Sequence, residues 1–223
     1  MDSIKQESMP PVGIYARFYG KGLLDSREKP GLFIDRDGVL IEEVGYLSRR
    51  QDVRFISGTV EAIRSFNRAN IPVIMATNQA GIGKGYLDWE NFEEVQEEII
   101  AVLRMGNAFL DAVIACPYHK EGIEEYRFDN HPFRKPNPGM IFLAAERLKI
   151  AREQSWMVGD KFSDIEAAAG ASLRGAVLVE TGYGKEHKEK IETLRKTSLE
   201  IVCAKNLFEI ADFLINRMAK SRI

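Results

Sequence analysis

Six short apolar runs, separated by stretches of helical period, confine this chain to a narrow set of folds. After Gly31 the runs are Leu32–Ile34, Val73–Ala76, Ala112–Ala115, Trp156–Val158, Ala176–Val179 and Glu200–Val202. Runs of that length, several bounded by Gly, read as buried strands. One intervening helix is predicted from Ser57 to Asn70, with Val60, Ile63 and Phe66 at helical spacing. A second runs from the cap residue Asp88 to Arg104, and a third opens at Asn137-Pro138 with Asn137 as cap. Short helices follow Phe162 and Lys185, and a last one spans Lys205 to Arg217. Strands and helices that alternate in this way predict an α/β fold, a central mainly parallel sheet covered on both faces.

In such a sheet the carboxyl ends of the strands come together at one edge, where ligands bind. The polar residues of this chain are concentrated there. The first run ends in Asp35-Arg36-Asp37-Gly38, and residues two apart on a strand share a face, so both carboxylates can converge on one ligand. The second ends in Thr77-Asn78-Gln79 ahead of Gly81, Gly83 and Gly85, a loop able to present N–H groups to an anion. The fourth ends in Gly159-Asp160-Lys161, with Asp164 four residues beyond Asp160. Arg134 and Lys135 precede a helix amino terminus, which favours anions. Three carboxylates in one crevice repel unless a cation neutralises them, and hard oxygen ligands suit Mg²⁺.

Composition excludes several classes. The 223 residues hold 31 Lys and Arg against 33 Asp and Glu, a net charge of −2, without the basic excess of a nucleic-acid binder. Two cysteines, Cys116 and Cys203, imply no disulfide framework and a reducing, cytoplasmic setting. No apolar run is long enough to span a membrane, and the polar start of the chain lacks a signal-peptide core. Residues 1–30 read as an irregular N-terminal arm packing Tyr15, Phe18 and Tyr19 against a body formed by residues 31–223.

The order of these motifs resembles the haloacid dehalogenase-like hydrolase superfamily. The residues that carry the resemblance are Asp35-Arg-Asp37-Gly38, Thr77-Asn78-Gln79, Arg134-Lys135-Pro136 and Gly159-Asp160-Lys161-x-x-Asp164. Within the superfamily the chain looks like the capless phosphatases that include the D,D-heptose 1,7-bisphosphate and histidinol-phosphate enzymes. Asp-Arg-Asp-Gly followed by Gly45-Tyr46, and Arg-Lys-Pro-x-Pro-Gly-Met, point to the heptose branch. The resemblance implies a Rossmann-like three-layer sandwich without a large cap. It implies a Mg²⁺-dependent phosphomonoesterase acting on a small-molecule phosphate ester, most of all a phosphorylated sugar such as D-glycero-D-manno-heptose 1,7-bisphosphate. No nucleic-acid or membrane partner is expected, and the chain is expected as a monomer or small homo-oligomer.

The roles follow from the chemistry and the resemblance together. Asp35 is the nucleophile and Asp37 the general acid and base. Thr77 and Lys135 bind the equatorial phosphoryl oxygens. The resemblance places Mg²⁺ on the Asp35 carboxylate, the Asp37 main-chain oxygen and Asp160, with Asp164 one layer out, orienting Lys161 or a metal-bound water. Substrate-binding candidates are Glu43, Gly45, Tyr46, Asn78, Gln79, Arg134 and Lys161. Two other readings stay open: a histidinol-phosphate or nucleic-acid 3′-phosphatase of the same superfamily, and a non-catalytic sugar-phosphate binder.

The pattern breaks in one place. The heptose branch carries a zinc loop of the form Cys-x-His…Cys-x-Cys before Arg-Lys-Pro. Here the stretch is Cys116-Pro-Tyr118-His119…His131-Pro-Phe133. Cys116, His119 and His131 leave three candidate ligands, with Asp129 as an oxygen candidate, where a structural zinc site uses four. Zinc is therefore not expected, and the loop is expected to hold itself by packing Tyr118, Tyr126, Phe128 and Phe133.

Overall fold

Strands β2 (Leu32–Ile34), β3 (Val73–Asn78), β4 (Ala112–Cys116), β5 (Trp156–Gly159), β6 (Gly175–Val179) and β7 (Glu200–Ala204) pair in parallel, and β1 (Tyr15–Phe18) adds antiparallel to β4. The sheet order is β1-β4-β3-β2-β5-β6-β7. These elements belong to a computed structural model that describes residues 12–19, 28–194 and 198–219.

The side chains of each central strand divide between two cores, as the pleat requires. Leu32, Ile34, Val73, Met75, Val113, Ala115, Trp156 and Val158 face one core; Phe33, Ile74, Ala76, Ile114 and Met157 face the other. Helices α1 (Thr59–Arg68), α3 (Trp89–Met105) and α7 (Leu207–Ala219) cover the first face with residues such as Phe66, Phe92 and Leu214. Helices α4 (Gly139–Leu148) and α5 (Phe162–Gly170) cover the second with residues such as Ile141 and Ile165. Two four-residue helices complete the set, α2 (Ala80–Gly83) and α6 (Gly184–His187). This is the three-layer α/β sandwich anticipated from the alternation. Residues 38–58 hold one 3-10 turn, Arg50–Asp52, so no helical cap domain stands over the strand ends.

Three local expectations need correction. The segment before Gly31 is not wholly irregular, because Tyr15–Phe18 forms the edge strand β1. The strand is short and no more than partly buried, and the exposed Arg17 interrupts its apolar pattern. Its Tyr15 ring packs on Trp89 and Phe92 of α3, at centroid distances of 5.8 and 5.1 Å. The expectations for residues 1–11 and 20–27 lie outside the described residues. Asn137 does not cap α4. Its amide donates instead to Asn130 Oδ1 and His131 O, and Pro138 takes the cap position. Helix α1 starts two residues late, at Thr59, because Gly58 turns the chain with φ at +82° where a Cβ would strike Phe208. By contrast Asp88 caps α3 as predicted, its carboxylate accepting the Asn91 N–H at 2.9 Å. Among the described residues no helix is long and apolar enough to cross a membrane.

Candidate active site

Strands β2 and β5 are neighbours, yet the chain runs from β2 outward through β3 and β4 before it returns to β5 on the other side. A switch of this kind opens a crevice beyond the carboxyl ends of the two strands. Asp35 follows β2 and Asp160 follows β5, and the Asp35 N–H still donates to Val158 O at 3.0 Å, so the pairing reaches the edge of the crevice. The first turn past Asp35 is tight. Gly38, at φ +78°, lies against the Asp160 carboxylate so closely that any Cβ would collide with it.

Asp35, Asp160 and Asp164 are all buried, and one carboxylate oxygen from each lies within 4.8 Å of the others. Lys135 neutralises two of them. Its Nζ is 3.0 Å from Asp35 Oδ2 and 2.6 Å from Asp164 Oδ1, and it donates to Ala76 O at 2.8 Å. Burial works against both charges of the Lys135–Asp35 pair. The surrounding lysines nonetheless hold the Asp35 carboxyl below its usual range, and Asp164 and Asp35 hold the Lys135 ammonium above its own. Asp160 has no such partner. Its Oδ2 accepts the Tyr183 N–H at 2.9 Å, but Oδ1 is buried with no donor among the described residues. Burial and the adjacent Asp35 charge push its pKa up to about 7. A buried carboxylate oxygen without a donor beside a second carboxylate fits a hard divalent cation such as Mg²⁺.

Asp37 is held separately. Arg36 folds back so that its Nε donates to both Asp37 oxygens at 3.1 and 3.2 Å, and its NH2 to Gln79 Oε1 at 3.2 Å. Gln79 in turn donates from Nε2 to Asp37 Oδ2 and to Thr77 Oγ1, at 3.2 and 2.9 Å. Burial raises the Asp37 pKa, Arg36 opposes the rise, and the Asp35 and Glu43 charges add to it. The arrangement gives one ionised acid, Asp35, beside a second acid with a greater hold on its proton.

The other candidates fall into two groups. Asn78 clamps the Lys135 backbone, donating to Lys135 O at 2.9 Å and accepting the Lys135 N–H at 3.0 Å. Asp164 Oδ2 accepts the Lys161 N–H at 3.0 Å, so Asp164 binds the Lys161 backbone and the Lys135 side chain. The Lys161 side chain reaches over the Tyr183 ring, 4.8 Å from its centroid, to Glu43 Oε2 at 2.9 Å. Glu43 Oε1 also accepts the Gly45 N–H at 2.8 Å, which ties the 43–46 segment down, and Tyr46 packs on Tyr86 with centroids 4.8 Å apart. Arg134 is half-buried, donating from NH1 to Tyr118 O at 3.0 Å.

Two contributors went unseen in the sequence. Arg36 had the place of a spacer between two acids; it is fully buried and governs Asp37. The loop Thr181-Gly182-Tyr183 after β6 also closes the site, for Thr181 Oγ1 donates to Gly38 O and Gly182 sits where a Cβ would hit Asp160. Its one sequence signal is a pair of glycines just past a buried strand, Gly182 and Gly184.

Cys116 Sγ lies 3.9 Å from His131 Nδ1, but His119 does not complete a group of three with them. Among the described residues the one group of potential ligand atoms within 4.8 Å of one another is Asp35, Asp160 and Asp164.

Comparison with known proteins matches residues 132–201 to the HAD-hydrolase-like family model. A D-glycero-beta-D-manno-heptose-1,7-bisphosphate 7-phosphatase of Mesorhizobium japonicum is 38% identical over 169 residues, 76% of this chain and 78% of the relative. Among solved structures, a HAD-like protein of Mesorhizobium loti superposes with a TM-score of 0.78 at 30% identity, covering 93% of this chain and 94% of that one. The D,D-heptose 1,7-bisphosphate phosphatase of B. bronchiseptica, solved with magnesium and phosphate, gives a TM-score of 0.72 at 26% identity, covering 83% and 98%.

Proposed function

The chain belongs to the haloacid dehalogenase-like phosphatases, and from that premise we propose that it removes one phosphate from a small phosphorylated sugar, most closely a heptose 1,7-bisphosphate, with Asp35 as nucleophile. The observation that carries the reading is the pairing of Asp35, held by Lys135, with a second buried acid, Asp37, two residues on, whose pKa burial raises. Its substrate class rests on the relatives, which are heptose-1,7-bisphosphate 7-phosphatases.

In this reading the Asp35 carboxylate attacks phosphorus and the ester oxygen departs with the proton of Asp37, leaving an aspartyl-phosphate on Asp35. Asp37, now ionised, takes a proton from water, which attacks the same phosphorus and restores the Asp35 carboxylate. Arg36 and Gln79 keep Asp37 aimed throughout, since together they engage both of its oxygens. Lys135 and Thr77 face the phosphoryl oxygens, where negative charge must be balanced in the transition state. Asp35, Asp160 and the Asp37 main-chain oxygen would hold Mg²⁺, which when bound screens the phosphate from the carboxylates. Lys161 and Arg134 are left for the remaining anionic groups of the substrate, with Glu43, Gly45 and Tyr46 at the mouth.

The test is phosphate release from heptose 1,7-bisphosphate, histidinol phosphate and a 3′-phosphorylated oligonucleotide, each with and without Mg²⁺. The expected ranking by kcat/KM puts the heptose bisphosphate first, with activity lost in chelator. Equal or greater efficiency on either of the other two would move the substrate assignment.

A further inference from the structure

Tyr118 makes contacts in three directions at once. Its ring stacks on His131, with centroids 3.9 Å apart and planes 10° from parallel. Phe128 meets His131 edge-on at 5.0 Å, and Phe133 lies 6.0 Å from it. On the other side Tyr126 meets Tyr118 edge-on at 5.7 Å, and Tyr126 Oη accepts from Trp89 Nε1 at 3.1 Å. The Tyr118 hydroxyl donates to Val12 O at 3.1 Å, ahead of the edge strand. Its carbonyl accepts from Arg134 NH1 at 3.0 Å. Tyr118 thus joins the start of β1, the ring cluster and a guanidinium that makes no ion pair with any carboxylate among the described residues.

Both histidines of the same loop have their Nδ1 atoms engaged by backbone N–H groups. His131 Nδ1 accepts the Phe133 N–H at 3.2 Å, and His119 Nδ1 accepts the Glu121 N–H at 3.0 Å. Cys116 is buried with its sulfur 3.9 Å from His131 Nδ1, and no third potential ligand joins the two among the described residues. Phe133 offers no donor at all. These residues do not fit a four-ligand zinc site.

We propose that the Tyr118–His131 ring stack takes the place of a structural ion in the loop 116–134, and that Tyr118 is a positioning residue that sets Arg134 at the mouth of the phosphate site. A planar guanidinium recognises an oxyanion only when its own orientation is held. Tyr118 supplies that hold from its carbonyl, and the stacked ring fixes where the carbonyl stands. The inference rests on the phosphatase reading for its kinetic arm alone.

Metal content and melting decide it independently of turnover. Purified, dialysed protein is expected to hold less than about a tenth of an equivalent of zinc, where a structural zinc site would hold a full one. His131→Phe, which keeps a ring and deletes a ligand, is expected to melt within a few degrees of the parent. In kinetics, Tyr118→Leu is expected to raise KM for heptose 1,7-bisphosphate about tenfold, the scale on which misplaced positioning groups act, with kcat and the hydrolysis of p-nitrophenyl phosphate little changed. Tyr118→Phe, which keeps the stack, is expected to follow the parent. A full equivalent of zinc, a collapse of His131→Phe, or equal losses on both esters in Tyr118→Leu would overturn the proposal. A parent that cleaves neither ester would sink the phosphatase reading instead and leave the zinc and melting results to stand.

Discussion

Lys135 Nζ lies 3.0 Å from Asp35 Oδ2 while the backbone of Lys135 is clamped by Asn78, so the cation is delivered to the acid from a different loop and held there on both sides. The contact keeps Asp35 ionised in a buried setting that would otherwise favour its protonated form. It also means that removing the Asp35 charge leaves Lys135 with Asp164 as partner at 2.6 Å, so the ion pair shrinks without vanishing. Asp35→Asn is therefore expected to remain folded, melting within a few degrees of the parent. Its kcat on any phosphate ester should drop by about 10⁴-fold or more, as when a nucleophile is deleted. Steady-state assay with circular dichroism melting checks both halves, and residual turnover near the parent rate would remove Asp35 as nucleophile.

Gly38 is one of several tight points in the site. With φ at +78° and the Asp160 carboxylate in the space of a Cβ, Gly38→Ala meets strain and a clash together. The backbone term alone costs about 1–3 kcal/mol, and the clash displaces Asp160 from Asp35. A fall of about 10²-fold in kcat/KM is expected from a displacement of that order, with a larger Mg²⁺ requirement for half-maximal rate. A variant with the parent's Mg²⁺ dependence would show that Asp160 tolerates the shift.

Acidity should tune the stability of the metal-free protein in a particular direction. Asp37, Asp160 and Asp164 all have folded pKa values above their unfolded ones, and Asp160 reaches about 7. Unfolded carboxyls titrate near about 4, so between that pH and about 7 the folded chain holds protons that the unfolded chain has lost. Unfolding then releases protons, and stability falls as pH rises through this window. Asp35, shifted downward, works in the opposite sense at more acid pH. His119, His131 and His187, held below the usual imidazole range by burial, oppose the carboxyls within the window, so the comparison is made against Asp160→Asn, in which the fall should be smaller. Melting in chelator is expected to be higher at pH 5 than at pH 8, and Mg²⁺ to recover the loss at pH 8 by binding the folded state alone. An Asp160→Asn variant with the parent's change in melting temperature between pH 5 and pH 8 in chelator would contradict the carboxylate cluster as described.

Much of the fold was legible along the chain because its information is local. Runs such as Val73–Ala76 and helical stripes such as Phe92, Val95 and Ile99 announce burial through their period, and a parallel arrangement then follows from the crossovers between them. Edge strand β1 was not legible, since four partly buried residues interrupted by Arg17 make no continuous apolar run. The same divide runs through the site. Asp35, Thr77 and Asp160 could be listed from strand ends, whereas the position of Arg36 between two acids gave no sign that it would turn back and hold one of them.

Sequence alone determined which chemical groups this protein has to work with and the edge of the sheet on which they gather, because residue type and periodicity are properties of short stretches. Tertiary structure alone decided the pairing: that Lys135 serves Asp35 and Asp164, that Lys161 goes to Glu43, and that Asp160 keeps an oxygen free. Those choices depend on distances of a few ångström between loops far apart in the chain, and in a buried site such distances settle which charge is neutralised and which is left to attract a cation.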